Sequence, residues 1–214
     1  MTCAFRLLAI TPPHGPVDPQ IVDVWLAAGA LGSIAVLLRE PGAPPRRLLA
    51  GDGRLAPLRR RCVAAGVPVL LALDAAALDA LEPPPELAGL HLRGDPDLTA
   101  LRRARERTAL LGRACHGEPQ PGHELVDYTV FAPVFAPGTV DPTMIKRPAG
   151  LAALTRWTAD PRAHVIALGG ICPATAPACL AAGARGLAGI SGLFGEPARV
   201  EQDVAALVRL VDPR

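Results

Sequence analysis

What the chain lacks narrows its function first. No uninterrupted apolar run approaches the ~18 residues that a membrane-spanning helix needs. The opening Met1, Thr2, Cys3, Ala4, Phe5 and Arg6 form neither a basic leader nor an apolar signal core. Neither membrane insertion nor secretion is expected, and a cytoplasmic protein is. The chain also lacks an excess of either charge: 22 basic and 20 acidic side chains leave a formal net charge of +2. They are spread along the sequence without the basic patch that gathers nucleic acid or anionic lipid, so the expected partner is a small molecule. Paired cysteines are absent too. Cys3, Cys62, Cys115, Cys172 and Cys179 are odd in number and contain no C-x-x-C, so neither a disulfide framework nor a zinc knuckle follows. Lysine is nearly missing from a composition dominated by arginine, alanine, proline and leucine, and Lys146 is the only one. Finally, no Ser/Gly linker divides the chain, and 214 residues, half of them apolar, suit one compact domain over 1–214.

What is present is an alternation of strand and helix. Short β-rich apolar runs recur at 6–11, 33–38, 68–72, 89–92, 109–112, 128–132, 165–169 and 186–190. Between most of them lie Ala/Leu/Arg-rich stretches of helical character, as at 21–28, 55–65, 98–107, 151–159 and 174–182. Strand followed by helix, repeated, implies a parallel sheet. Eight units in this length favour closure into a (β/α)8 TIM barrel over a doubly wound sheet, which more often has five or six strands. The third and fifth units are weak: 75–81 and 118–125 offer little helical length, and Pro83, Pro84 and Pro85 force a loop. The Pro-rich patches 11–19 and 41–45 both follow strands, which in a barrel makes them βα loops on the side where active sites form.

The last two units carry a shared design. Ala167, Leu168, Gly169, Gly170, Ile171, Cys172 and Pro173 read as strand, glycine turn and helix start. In the next unit the strand 186–190 is followed by Ser191, Gly192 and Leu193, which open a short helical segment. Bare glycines let backbone N–H groups approach an anion, and barrels often hold phosphate after strands seven and eight. Gly169, Gly170, Ser191 and Gly192 are therefore candidate phosphate ligands, with ordinary turn glycine as the competing explanation.

The run Val-Ile-Ala-Leu-Gly-Gly-Ile-Cys-Pro at 165–173 and Ala-Ala-Gly-Ala-Arg-Gly-Leu-Ala-Gly-Ile-Ser-Gly-Leu-Phe at 181–194 closely resemble the C-terminal signature of the thiamine phosphate synthase/TenI family. Leu-Gly-Arg-Ala-Cys-His at 111–116 is similar to its G-x-S-x-H segment. Asp-Tyr-Thr-Val-Phe-Ala-Pro-Val-Phe at 127–135 resembles its D-Y-V-x-x-G-P-V-F strand. Gly-Leu-His-Leu at 89–92, Asp74 in the place of the N-D-R aspartate, and Leu-Leu-Arg-Glu at 37–40 extend the likeness over nearly the whole chain. The resemblance implies a (β/α)8 barrel acting on a thiazole phosphate whose phosphate lies in the glycine turns. Two activities of the family compete. A synthase couples hydroxymethylpyrimidine pyrophosphate to the thiazole phosphate with Mg2+ and releases pyrophosphate. A TenI-type tautomerase moves a proton on a carboxythiazole phosphate with no metal or other cofactor.

Side chains that differ from the synthase pattern tilt this reading toward the tautomerase. Pro41 stands in place of a lysine, Leu73 and Ala75 replace the asparagine and arginine beside Asp74, and Arg93-Gly-Asp-Pro-Asp departs from G-Q-E-D. If the synthase reading holds, Asp74, Asp95 and Asp97 are the candidate magnesium carboxylates. His116, in the G-x-S-x-H resemblance, is the candidate acid/base, because imidazole both donates and accepts a proton near neutral pH. The motif's serine is here Ala114. Arg39, at the end of strand two, and Lys146, in the loop 136–148, are candidate substrate-binding residues, weighed against a rim ion pair and a surface lysine. Cys115 is discounted as a nucleophile because strand neighbours point apart and no base accompanies it. His91 and His164 are expected to be structural. A non-catalytic binding barrel is the third alternative, and helix exteriors rich in Ala, Leu and Val leave pairing into a homo-oligomer open.

Overall fold

The computed structural model describes residues 3–136 and 147–212. Eight parallel strands close into one barrel in chain order: β1 (Leu7–Ile10), β2 (Ile34–Leu38), β3 (Val69–Leu73), β4 (Gly89–Leu92), β5 (Leu111–Cys115), β6 (Tyr128–Phe131), β7 (Val165–Ala167) and β8 (Gly186–Gly189). Closure comes from β8 pairing with β1, Leu7 opposite Leu187 and Ala9 opposite Gly189. Among the described residues seven helices surround it: α1 (Ile21–Ala27), α2 (Pro45–Leu49), α3 (Ala56–Ala64), α4 (Leu98–Arg105), α5 (Gly150–Thr158), α6 (Ala176–Ala181) and α7 (Pro197–Val211). None of these helices is long and apolar enough to cross a membrane.

The expected barrel is thus the observed one, with instructive shifts. The third and fifth units carry only single 3-10 turns, Ala75–Ala77 and His123–Leu125, where little helical length was expected. The proline patch at 41–45 was read as loop, yet its last residue opens α2, since proline's fixed φ suits the first helical turn. β5 runs from Leu111 to Cys115, not over 109–112. An arginine interrupts its apolar pattern, and arginine is rarely buried unless its donors are met. Here they are: Arg113 Nε donates to Thr129 Oγ1 at 3.2 Å, Nη1 to the Pro121 carbonyl at 2.6 Å and Nη2 to the Gln120 carbonyl at 3.1 Å. Its guanidinium carbon lies 5.5 Å from the centroid of the Trp157 ring. With each of its three nitrogens hydrogen-bonded and an aromatic face beneath it, the cation is accommodated in a unit that carries only a 3-10 turn.

Alternation along the strands sorts the core into two layers. Leu7, Val36, Leu71, Leu92 and Val165 face outward against the helices. Leu8, Ile10, Leu37, Leu70, Tyr128, Val130 and Ile166 fill the barrel interior. Tyr128 is its largest occupant. A methyl group on Gly112 would fall inside the Tyr128 ring, so only glycine fits across from it. Phe5 closes the lower side of that ring edge-on, with centroids 5.2 Å apart. His91 stacks near it at 5.6 Å and shares a 3.2 Å hydrogen bond between Nδ1 and the Tyr128 hydroxyl. Burial first, then the positive charges of Arg93 and Arg39, lowers the His91 pKa to about 3. The barrel core therefore holds a neutral imidazole.

Two outcomes follow. Gly112→Ala overpacks the interior and should cost about 1–3 kcal/mol or more in chemical denaturation. Unfolded His91 titrates near 6.5, while the folded residue resists protonation down to about 3. Across that window the unfolded state binds the extra proton, so stability falls as the pH drops. The urea midpoint of the wild type should fall more steeply between about pH 7 and pH 4.5 than that of His91→Gln.

Candidate active site

The inward register of each strand, continued two residues past its carboxyl end, aims at the mouth of the barrel. Leu37, Ala72, His91, Leu168 and Ile190 lie in or against the interior cluster. The next residues in the same register are Arg39, Asp74, Arg93, Gly170 and Gly192, and His116 follows Gly112 and Ala114 on β5. The fold thus brings together most of the residues singled out by sequence.

The β7 turn is built for glycine. Gly169 and Gly170 have φ of 101° and 64°, the left-handed region that side chains disfavour. A Cβ on Gly169 would lie 2.6 Å from Pro133 Cβ, and one on Gly170 2.7 Å from both Phe135 Cβ and the Ala136 carbonyl oxygen. Thr175 fastens the turn to the start of α6. Its hydroxyl donates to the Gly170 carbonyl at 2.9 Å and accepts the Cys172 N–H at 3.0 Å. The β8 turn is held from the opposite side. Trp25, fully buried on α1, donates its indole N–H to the Leu193 carbonyl at 2.9 Å and meets Phe194 edge-on. Between the turns there is room: a Cβ on Gly192 would meet only the Ile171 carbonyl, at 3.8 Å.

Across the mouth stands His116, half-buried. Asp95 grips it twice, Oδ1 accepting the backbone N–H at 2.7 Å and Oδ2 lying 2.9 Å from Nδ1. An ionised carboxylate can only accept, so with a neutral ring the proton sits on Nδ1 and Nε2 carries the lone pair. The loop behind it is anchored: the Trp157 indole donates to the Gly117 carbonyl at 2.9 Å, and Arg113 holds the carbonyls of Gln120 and Pro121. Cys115, the neighbour of His116, faces the helix layer, and burial pushes its thiol up to about 12, which removes it as a nucleophile.

Arg39 is half-buried at the end of β2, its backbone N–H bound by Thr11 Oγ1 at 2.8 Å. Arg93, past the end of β4, donates from Nη2 to Asp74 Oδ2 at 2.6 Å, and its Nε is buried with no hydrogen-bond acceptor. Asp97 is drawn away from the mouth: its Oδ1 accepts from the Ala100 N–H at 2.7 Å and caps α4. Among the described residues no group of three His, Cys, Asp or Glu gathers where a metal ion could be held. Lys146 lies outside the described residues. His91 is buried inside the barrel, and His164 is half-buried before β7. Sequence reading did not find the supporting residues Thr175, Trp25 and Trp157. Nor did it assign a role to Arg93, whose signal was the strand register two residues beyond His91.

Residues 7–193 match the family described as Thiamine monophosphate synthase. The chain is 32% identical over 219 residues to the thiamine-phosphate synthase of Rhodospirillum centenum, covering 96% of this chain and 97% of that one. It is 35% identical over 200 residues to the thiamine-phosphate synthase of Bordetella avium, covering 89% and 88%. Among solved structures, a thiamine phosphate pyrophosphorylase from Pyrococcus furiosus aligns with a TM-score of 0.67 at 21% identity, over 98% of this chain and 96% of that one, a likeness of fold. These relatives overturn the expectation of a TenI-type tautomerase, an isomerase: proteins alike over most of the chain are named synthases, which favours the transferase alternative. The departures at Pro41, Leu73, Ala75 and Arg93 are local, whereas the similarity to synthases runs along most of the chain.

The Asp95 contact predicts a tautomer. In a long-range 1H–15N spectrum at about pH 8.5, the His116 ring should carry its proton on Nδ1, and Asp95→Ala should shift it toward Nε2.

Proposed function

Because the chain belongs to the thiamine monophosphate synthase family, we propose that it joins hydroxymethylpyrimidine pyrophosphate to a thiazole phosphate. The observation that carries this reading is the match to synthases over most of both chains. In the coupling, the thiazole ring nitrogen forms a bond to the pyrimidine methylene carbon. The bond from that carbon to the diphosphate oxygen breaks, and pyrophosphate departs with the electron pair. The substrates are cytoplasmic small molecules in this reading.

The geometry supports a division of the mouth into two halves. The turns bearing Gly169, Gly170, Ser191 and Gly192 hold the thiazole's phosphate through backbone N–H groups, with Gly192 leaving the space for it. Anchoring that phosphate sets the ring at one depth, which turns an encounter of two substrates into a positioned reaction. On the other half, His116 is oriented by Asp95 so that Nε2 accepts a hydrogen bond from a polar hydrogen of the pyrimidine. Arg39 faces the diphosphate or carboxylate of a substrate with a planar array of donors. Lys146 remains a candidate for the same task.

Magnesium is the cofactor that the synthase reading brings with it, and the carboxylates present do not fit it. An ion of this kind takes one or two carboxylates together with phosphate oxygens. Asp74 already lies 2.6 Å from the Arg93 guanidinium, which sets a permanent positive charge where the cation would bind. Both oxygens of Asp95 are engaged by His116, and Asp97 caps α4.

The reading is tested by incubating the purified protein with both substrates and following products by chromatography. Thiamine phosphate and pyrophosphate should form in equal amounts, and the absence of both at saturating substrate, with and without Mg2+, would sink it. Gly192 tests the phosphate half separately. Gly192→Ala should keep its unfolding free energy within about 0.5 kcal/mol, because its Cβ enters open space. It should nevertheless weaken binding of the thiazole phosphate by about tenfold, measured by calorimetry.

A further inference from the structure

The misfit of magnesium has a counterpart in the residues that stand there instead. Arg93 and Arg39 follow β4 and β2 in the inward register, above the barrel core, and the fields of both reach the same buried imidazole, His91. The two guanidiniums thus share one mouth. Between their strands, β3 ends in Asp74, whose side chain is 64% exposed.

Arg93 itself is in a compromised pose. Nη2 is satisfied by Asp74, but Nε is buried with no acceptor. A buried donor left unmade is unfavourable, so the guanidinium gains by turning toward a partner that offers oxygens to more than one of its N–H groups. A diphosphate does so: it is multiply charged, and it presents several oxygens at the spacing of the guanidinium fork. Arginine stays protonated across the physiological range, so its charge is as dependable as a metal's.

We propose that the β2–β4 side of the mouth binds a diphosphate through Arg93, with Arg39 beside it, and does so without a divalent cation. The inference deepens the synthase reading and rests on it for the identity of the ligand. Arg93 turns its unpartnered Nε toward the diphosphate while Nη2 keeps Asp74, and the two guanidiniums neutralise the leaving group as its charge develops.

Calorimetric titration of the full-length protein with inorganic pyrophosphate, once in excess EDTA and once in excess Mg2+, tests it. Binding in EDTA should be within about threefold of that in Mg2+, because the guanidinium fork makes its contacts without an ion. Arg93→Gln should weaken it in EDTA by about tenfold or more, and Arg93→Lys should restore part of the loss, since ammonium keeps the charge but not the fork. Asp74→Asn should bind pyrophosphate as tightly or tighter, its competing charge having gone. Gly192→Ala should leave pyrophosphate binding unchanged, which separates this site from the glycine turns. Melting curves of each variant establish that it is folded. Pyrophosphate binding that appears only with Mg2+, or that survives Arg93→Gln and Arg93→Lys alike, overturns the proposal. The coupling assay reads the parent hypothesis independently. Metal-free binding without coupling keeps the arginine site and removes the synthase, whereas coupling and pyrophosphate binding that both vanish in EDTA keep the synthase and remove the arginine site.

Discussion

The structure depends on filling a closed barrel whose strands are only three to five residues long. A parallel barrel of this size has an interior just wide enough for side chains, and the chain commits its one tyrosine to it. That choice propagates. Tyr128 requires glycine at position 112, an aromatic edge from Phe5 below, and a polar partner for its buried hydroxyl, which His91 supplies. His91 then stays neutral, held so first by its burial and next by the cations of Arg93 and Arg39 above it. The relation is reciprocal: an uncharged imidazole beneath the mouth lets two guanidiniums sit there without a third positive charge opposing them.

The outer ring solves a different problem, which is how loops stay in place where helices are missing or short. Both tryptophans of the chain do this with the indole N–H, one reaching the β8 turn and the other the loop after His116. Arg113 does the same from inside the protein, stacking on Trp157 while its N–H groups hold two loop carbonyls. A buried cation is tolerated only when its donors are met, and the carbonyls of a segment without helix are the acceptors available. The missing fifth helix and the buried arginine are therefore one feature, and together they fix the backbone from which His116 projects.

Much of this was legible in the amino-acid order because the barrel repeats one local signal eight times. Apolar runs that are buried on both faces, separated by helical stretches, located seven of the eight strands and caught β5 only at its start. The two glycine turns announced themselves because only glycine accepts the backbone at 169 and 170. Legibility failed where a residue behaves against its type. Arg113 broke the pattern of β5 because its neutralising partners lie elsewhere in the chain. α2 was hidden by prolines that start a helix as readily as they end one. At the site, Asp95 was visible as a carboxylate, but its grip on His116 depends on a left-handed backbone at φ 53° that composition does not announce. Activity was misjudged for a related reason: individual lost side chains are conspicuous in a sequence, while the replacement of their charge by Arg93 becomes visible only when the strand register brings it to Asp74.

The contact between the β7 turn and the segment after β6 has a consequence for how the protein can change over generations. Gly169 and Gly170 touch Pro133, Phe135 and Ala136 so closely that neither side can enlarge unless the other retreats. Two stretches more than thirty residues apart in the chain therefore vary as one heritable unit, and drift at either must be matched at its counterpart.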